Sequence, residues 1–196
     1  PMHARLATGA IGGGYHGFAL RLQAELALQG FSLELVESTG SADNLSKLGW
    51  LATEVLLKDS FDTAKYKPED TGIVLSNANS SLDTDIKYYE TAKDIASPAL
   101  FVYTLPNIVI GEISIRHRFK GENAFFISDE FDAGFIEQYV SNLINNNILQ
   151  SCICGWVEAM GEDYEAALYL IEKSKKPDSV IFTKENLTKI YEIGNG

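Results

Sequence analysis

Short apolar runs alternate along this chain with longer stretches in which apolar side chains recur every third or fourth residue. The runs predict buried strands, and the recurring pattern predicts amphipathic helices. Ala4 to Thr8 reads as a strand, followed by a glycine-rich turn with Gly9, Gly12, Gly13 and Gly14. Phe18, Leu22 and Leu26 predict a helix over 17–29, which Gly30 stops. Phe31 to Val36 alternates as a strand does, and Ser38, Thr39, Gly40 and Ser41 turn the chain toward a helix start at Asp43. Leu45, Leu48, Ala52, Val55 and Leu56 give that helix its apolar face.

A polar linker rich in Lys and Asp runs to Thr71. Gly72 to Ser76 is a buried strand by its apolar content, 77–83 a polar loop, and 84–94 a helix. Pro98 and Pro106 bracket what reads as an extended stretch, and a helix follows over 107–117. Ala124 to Ser128 predicts another strand. The clearest helix covers 132–146, where Phe135, Tyr139 and Leu143 run beside Ile136, Val140 and Ile144 as adjacent ridges. Two more strands are expected at 151–157 and 165–171, then a helix over 183–191 capped by Thr183, with Asn186 at the capping-box position. The alternation predicts one α/β domain over 1–196, a three-layer mixed or parallel sheet with helices on both faces.

Charge narrows the possible partners. Sixteen Lys and Arg against 27 Asp and Glu leave a net charge of −11. Such a surface repels phosphates, which argues against nucleic acid and anionic membranes. It also disfavours an acidic carrier protein unless basic residues cluster locally. No apolar run approaches the roughly 20 residues of a membrane span, and 2–14 lacks the pattern of a secretory leader. Cys152 and Cys154, one residue apart, point to the same side of a strand. They read as reduced core thiols, which fits a cytoplasmic location. No metal-ligand spacing is present, and the N-terminal glycines do not form GxGxxG, so no cofactor is expected.

Five ordered segments carry a resemblance. Asp43-Asn44-Leu45-Ser46-Lys47-Leu48-Gly49 opens a long helix, and Gly72-Ile73-Val74-Leu75-Ser76-Asn77 forms the next strand. Leu105-Pro106-Asn107 with Gly111-Glu112-Ile113-Ser114-Ile115 precedes the turn Lys120-Gly121-Glu122-Asn123, and Cys154-Gly155-Trp156-Val157-Glu158 comes later. In order and spacing, 43–173 resembles the N-terminal half of a β-ketoacyl synthase. It also resembles the short synthase-like proteins of aryl-polyene and flexirubin-type pigment biosynthesis. The resemblance implies half of a thiolase fold.

That family needs a cysteine thiolate to accept an acyl group, set on a tight strand-to-helix turn. Counted from Lys120, the position falls at about Glu130, within Ser128-Asp129-Glu130-Phe131. Asp129, Glu130 and Asp132 read as acids that start a helix rather than as a new catalytic group. The resemblance also implies two residues from a second half, usually histidines or a histidine and asparagine, and none of His3, His16 and His117 matches. His117, between two arginines at a helix end, is expected in a solvated structural role. Cys152 and Cys154 lie inside a later strand and are not expected to replace the nucleophile.

The first 48 residues fit a different pattern. Thr8-Gly9, Gly12-Gly13-Gly14-Tyr15 and Ser38-Thr39-Gly40-Ser41 resemble the first βαβ unit of tripartite-transporter solute-binding proteins. That likeness implies a carboxylate held by Gly13, Gly14, Tyr15, Ser38, Thr39 and Ser41; tight backbone turns explain the same residues without a ligand. The chain is either a composite of two α/β pieces (1–42 and 43–196), natural or engineered, or a synthase-like protein with a diverged start. The leading expectation is a catalytically inactive synthase-like subunit in fatty-acid or polyketide-type biosynthesis. It would associate with a ketoacyl synthase, an acyl carrier protein or itself, using apolar segments such as Ala99 to Tyr103. The alternatives are a condensing enzyme completed by a partner chain and a small carboxylate-binding module or a chimera without native function.

Overall fold

The computed structural model describes residues 3–8, 32–37, 44–174 and 179–194, with side chains from residue 44 onward. Strands β1 (His3–Thr8) and β2 (Ser32–Glu37) pair in parallel, His3 beside Ser32 and Thr8 beside Glu37. A parallel pair needs a crossover connection rather than a hairpin, as a βαβ unit has. The helix expected over 17–29 lies outside the described residues.

The remaining strands are β3 (Thr71–Asn77), β4 (Asn123–Ile127), β5 (Ser151–Met160) and β6 (Asp163–Glu172). They form one sheet in the order β4-β3-β5-β6. β3 is parallel to both neighbours, and β6 is antiparallel to β5. Among the described residues, six α-helices accompany them: α1 (Asn44–Leu57), α2 (Leu82–Ala92), α3 (Pro98–Val102), α4 (Ile108–His117), α5 (Ala133–Asn145) and α6 (Lys184–Gly194).

Alternation along the strands divides the core into two halves. Ile73, Leu75, Ile153 and Val157 face one way and pack with Leu48 of α1 and with Val109, Ile110 and Ile113 of α4. Val74, Cys152 and Cys154 face the other way and pack with Ile136, Val140 and Leu143 of α5 and with Leu187 of α6. The result is the expected three-layer α/β arrangement. Val74, Leu75, Val109, Ile113, Val140 and Ile153 are wholly buried, and each such side chain contributes about 1.5–3 kcal/mol. The connections explain the two sides. The step from β3 to β4 runs one way across the sheet, and the step from β4 to β5 runs back. Right-handed crossovers therefore place α4 and α5 on opposite faces.

Gly155 fixes the pairing of β5 with β6. Its φ is +143°, and a Cβ there would fall on the Ala167 carbonyl oxygen across the ladder. Both strands run longer than the apolar pattern suggests, because Gly161 (φ +61°) closes them into one hairpin. The expected extended stretch at 98–106 is corrected over its first half. Residues Pro98–Val102 form helix α3, with Ser97 Oγ accepting from the Leu100 amide at 3.3 Å. A proline at the first helical position starts a helix as readily as it ends one. At α6, Thr183 Oγ1 accepts from the Asn186 amide at 3.3 Å, as expected. The Asn186 side chain, however, donates to the Ile181 carbonyl rather than closing a capping box.

Candidate functional site

The chain leaves β3 toward α2–α4 and leaves β4 toward α5, so the two neighbouring strands send it to opposite faces. Such a switch point opens a crevice at the carboxyl ends of the strands, where α/β folds place ligands. Here that position falls at the ends of β3 and β4, where the Ser128 amide donates to the Asn77 carbonyl at 3.0 Å.

On one side of this position stands the β4–α5 turn. Ser128 Oγ donates to the Glu130 carbonyl at 2.8 Å, which folds the turn back on itself. Asp132 is the N-cap of α5, and its carboxylate accepts from the Phe135 amide at 2.9 Å. Asp129 and Glu130 are exposed. Of the three acids expected to start the helix, Asp132 makes the cap. Phe131 turns inward, stacking on Tyr169 at 5.9 Å and meeting Tyr191 at 4.7 Å and Trp156 at 6.4 Å. Trp156 is buried, and its indole N–H finds no acceptor among the described residues.

On the other side stands the turn after β3. Asn77 is wholly buried. Its Oδ1 accepts from the Ser80 amide at 2.9 Å and its Nδ2 donates to the Ser80 carbonyl at 2.8 Å, holding Ser80 at φ +53°. Ser81 Oγ donates to the Thr104 carbonyl at 2.5 Å, tying the turn to the segment after α3. From β5, the Glu158 carboxylate accepts the amides of Ala78 at 2.8 Å and Asn79 at 3.0 Å, and its second oxygen accepts that of Ala159 at 3.0 Å. A carboxylate with three amide donors is a rigid structural clamp. In the sequence Glu158 stands only as the last residue of the segment Cys154-Gly155-Trp156-Val157-Glu158, with no role of its own. The available signal was an acid closing an otherwise apolar strand, since a buried charge requires partners.

The thiols sit elsewhere. Cys152 and Cys154 are wholly buried, unbonded to each other, on the face of β5 that packs against α5. Burial pushes the Cys152 thiol up from 9.0 to about 12 and the Cys154 thiol well above 9.0. Both are therefore neutral at pH 7 and poor nucleophiles. His117 does end a helix, but the expectation of a solvated ring is corrected. Its side chain is 14% exposed, lies 5.3 Å from the Phe119 ring and has Nε2 3.5 Å from Glu54. Burial lowers its pKa below 6.5 against the pull of Glu54, because the Phe119 packing shields it from water. The residues expected to hold a carboxylate (Gly13, Gly14, Tyr15, Ser38, Thr39 and Ser41) lie outside the described residues. Among the described residues, no three His, Cys, Asp or Glu side chains gather as a metal site, and no helix is long and apolar enough to cross a membrane.

No protein-family model matches the chain. No curated protein matches it either. Among solved structures, the fold is similar to one described as the ishigamide ketosynthase/chain length factor. The TM-score is 0.53 at 19% identity, over 63% of this chain and 37% of that one. The chain thus spans little more than a third of that protein's length. The likeness shows a fold of the ketosynthase kind, the thiolase-like fold expected from the ordered segments.

Proposed function

We propose that this chain is a ketosynthase-like subunit that does not itself condense acyl groups and acts by association with a condensing enzyme. The observation that carries the reading is Glu130. It stands in the β4–α5 turn ahead of a capped helix, where the resemblance calls for a cysteine, while both cysteines of the chain are sealed in the core. A carboxylate offers a far weaker acyl acceptor than a thiolate, and acyl transfer by this route needs the thiolate. A chain of the same fold without that group retains its surfaces for association. The solved neighbour is described as a ketosynthase together with a chain length factor, and a condensing enzyme is the partner class this suggests. An aryl-polyene or other polyketide-type setting is part of the same reading.

The test is co-expression with the condensing enzyme of the source cell. The reading expects one co-eluting complex and a change in the amount or chain length of the product. A chain that stays separate in light scattering and leaves the product unaltered overturns it.

A further inference from the structure

A second concavity lies at the amino ends of the strands, at the opposite edge of the sheet from Glu130. Thr71 opens β3 there, and the seven residues of β3 set the two ends about 20 Å apart. The cavity measures about 240 Å³ and takes its walls from Phe61, Tyr66, His117 and Phe119, and its rim from Lys67 and Arg118. The rings hold one another. Phe61 stacks on Tyr66 at 5.4 Å, Phe119 meets Phe61 edge-on at 5.7 Å, and His117 lies nearly flat on Phe119 at 5.3 Å. They come from the segment after α1 and from the end of α4, so the wall is fixed by packing between distant parts of the chain.

Lys67 and Arg118 bring two positive charges to the rim, beside the Asp70 carboxylate, which accepts from the Lys67 amide at 3.2 Å. The neighbouring cations are engaged, Lys65 with Glu172 at 3.2 Å and Arg116 with Glu54 at 2.6 Å. Lys67 and Arg118 are exposed, and neither pairs with a carboxylate among the described residues. Two such cations over an aromatic cleft form a local anion-attracting site in a chain of net charge −11. Their heads suit a carboxylate, which accepts charge-assisted hydrogen bonds. The walls suit a flat ring, which gains offset or edge contacts. The volume is below the roughly 300–1,000 Å³ of ordinary small-molecule pockets, which limits the ligand to about one ring.

We propose that this cleft binds a small aromatic carboxylate, its ring against Phe61, Tyr66 and Phe119 and its carboxylate on Lys67 and Arg118. The site is independent of the association proposed above and of the Glu130 turn. It is tested by following the melting temperature with benzoate, with benzamide (the ring without the charge) and with acetate (the charge without the ring). The comparison protein carries Lys67→Gln and Arg118→Asn; Arg118 has φ +60°, a conformation asparagine tolerates. Benzoate is expected to raise the melting temperature saturably, with benzamide and acetate without effect. The double variant, melting as the parent does without ligand, is expected to weaken benzoate about a hundredfold or more, the loss of two charge-assisted hydrogen bonds. Lys67→Gln alone gives the same reading, in smaller degree, if the double variant folds poorly. No saturable response to benzoate, an equal response to benzamide, or an undiminished response in the variants each overturns the proposal.

Discussion

Asp132 holds the start of α5 because its carboxylate reaches the Phe135 amide, whereas Glu130 sits two residues earlier in the open turn. Asp132→Ala is therefore expected to cost about 1 kcal/mol, seen as a fall of about 2–4 °C in melting temperature. Glu130→Ala is expected to stay within about 0.5 kcal/mol of the parent. A comparable loss from both variants would contradict the assignment of the cap. The core thiols and Tyr169 set a second expectation. Burial raises Cys152 from 9.0 to about 12, Tyr169 from 10.0 to about 12, and Cys154 well above 9.0. The folded chain therefore keeps protons that the unfolded chain releases. The stability this gives is complete below pH 9 and is lost as pH rises from about 9 through about 12. Melting curves across that window check it, and Cys154→Ala is expected to flatten the alkaline decline. The Asp132 cap and the core thiols were legible in the sequence because capping and thiol burial depend on local residue types. The burial of His117 was not, because Glu54 and Phe119, which surround it, come together only through tertiary packing.

Strands and helices followed from periodicity wherever a face is buried. Val74 and Leu75 fall on opposite sides of β3, and α5 presents Ile136 and Val140 inward. The misread element was α3, where Pro98 marks a beginning rather than an interruption. Strands β5 and β6 were read short where they meet, since Glu158, Asp163 and Glu165 interrupt the apolar pattern at the hairpin end of the ladder. Its key residue is a glycine whose requirement is geometric. Gly155→Ala places a methyl on the Ala167 carbonyl at a φ that side chains rarely adopt. It is expected to cost about 3 kcal/mol or more. Gly111, inside α4, has nothing within reach of an added Cβ, so Gly111→Ala is expected to stabilise by about 0.5–1 kcal/mol. Denaturant unfolding of the two variants gives opposite signs on this account, and equal signs would count against the strand register at Gly155.

At the scale of the molecule, the ordered segments made the fold legible before any one of them did. Each is short, but their sequence along the chain matches the alternation of strand and crossover that a ketosynthase-type sheet requires. The candidate site was legible in part. The turn at Ser128 to Asp132 was located from Lys120, while the opposing side from Asn77, Ser81 and Glu158 was not, because it depends on β3 and β5 lying side by side. We propose a chain that presents no thiolate for acyl transfer, both of its cysteines being buried. The most direct test is intact-protein mass spectrometry after incubation with an acyl thioester at neutral pH, followed by peptide mapping. The account predicts an unmodified mass. An acyl adduct on Glu130, Cys152 or Cys154 would contradict it.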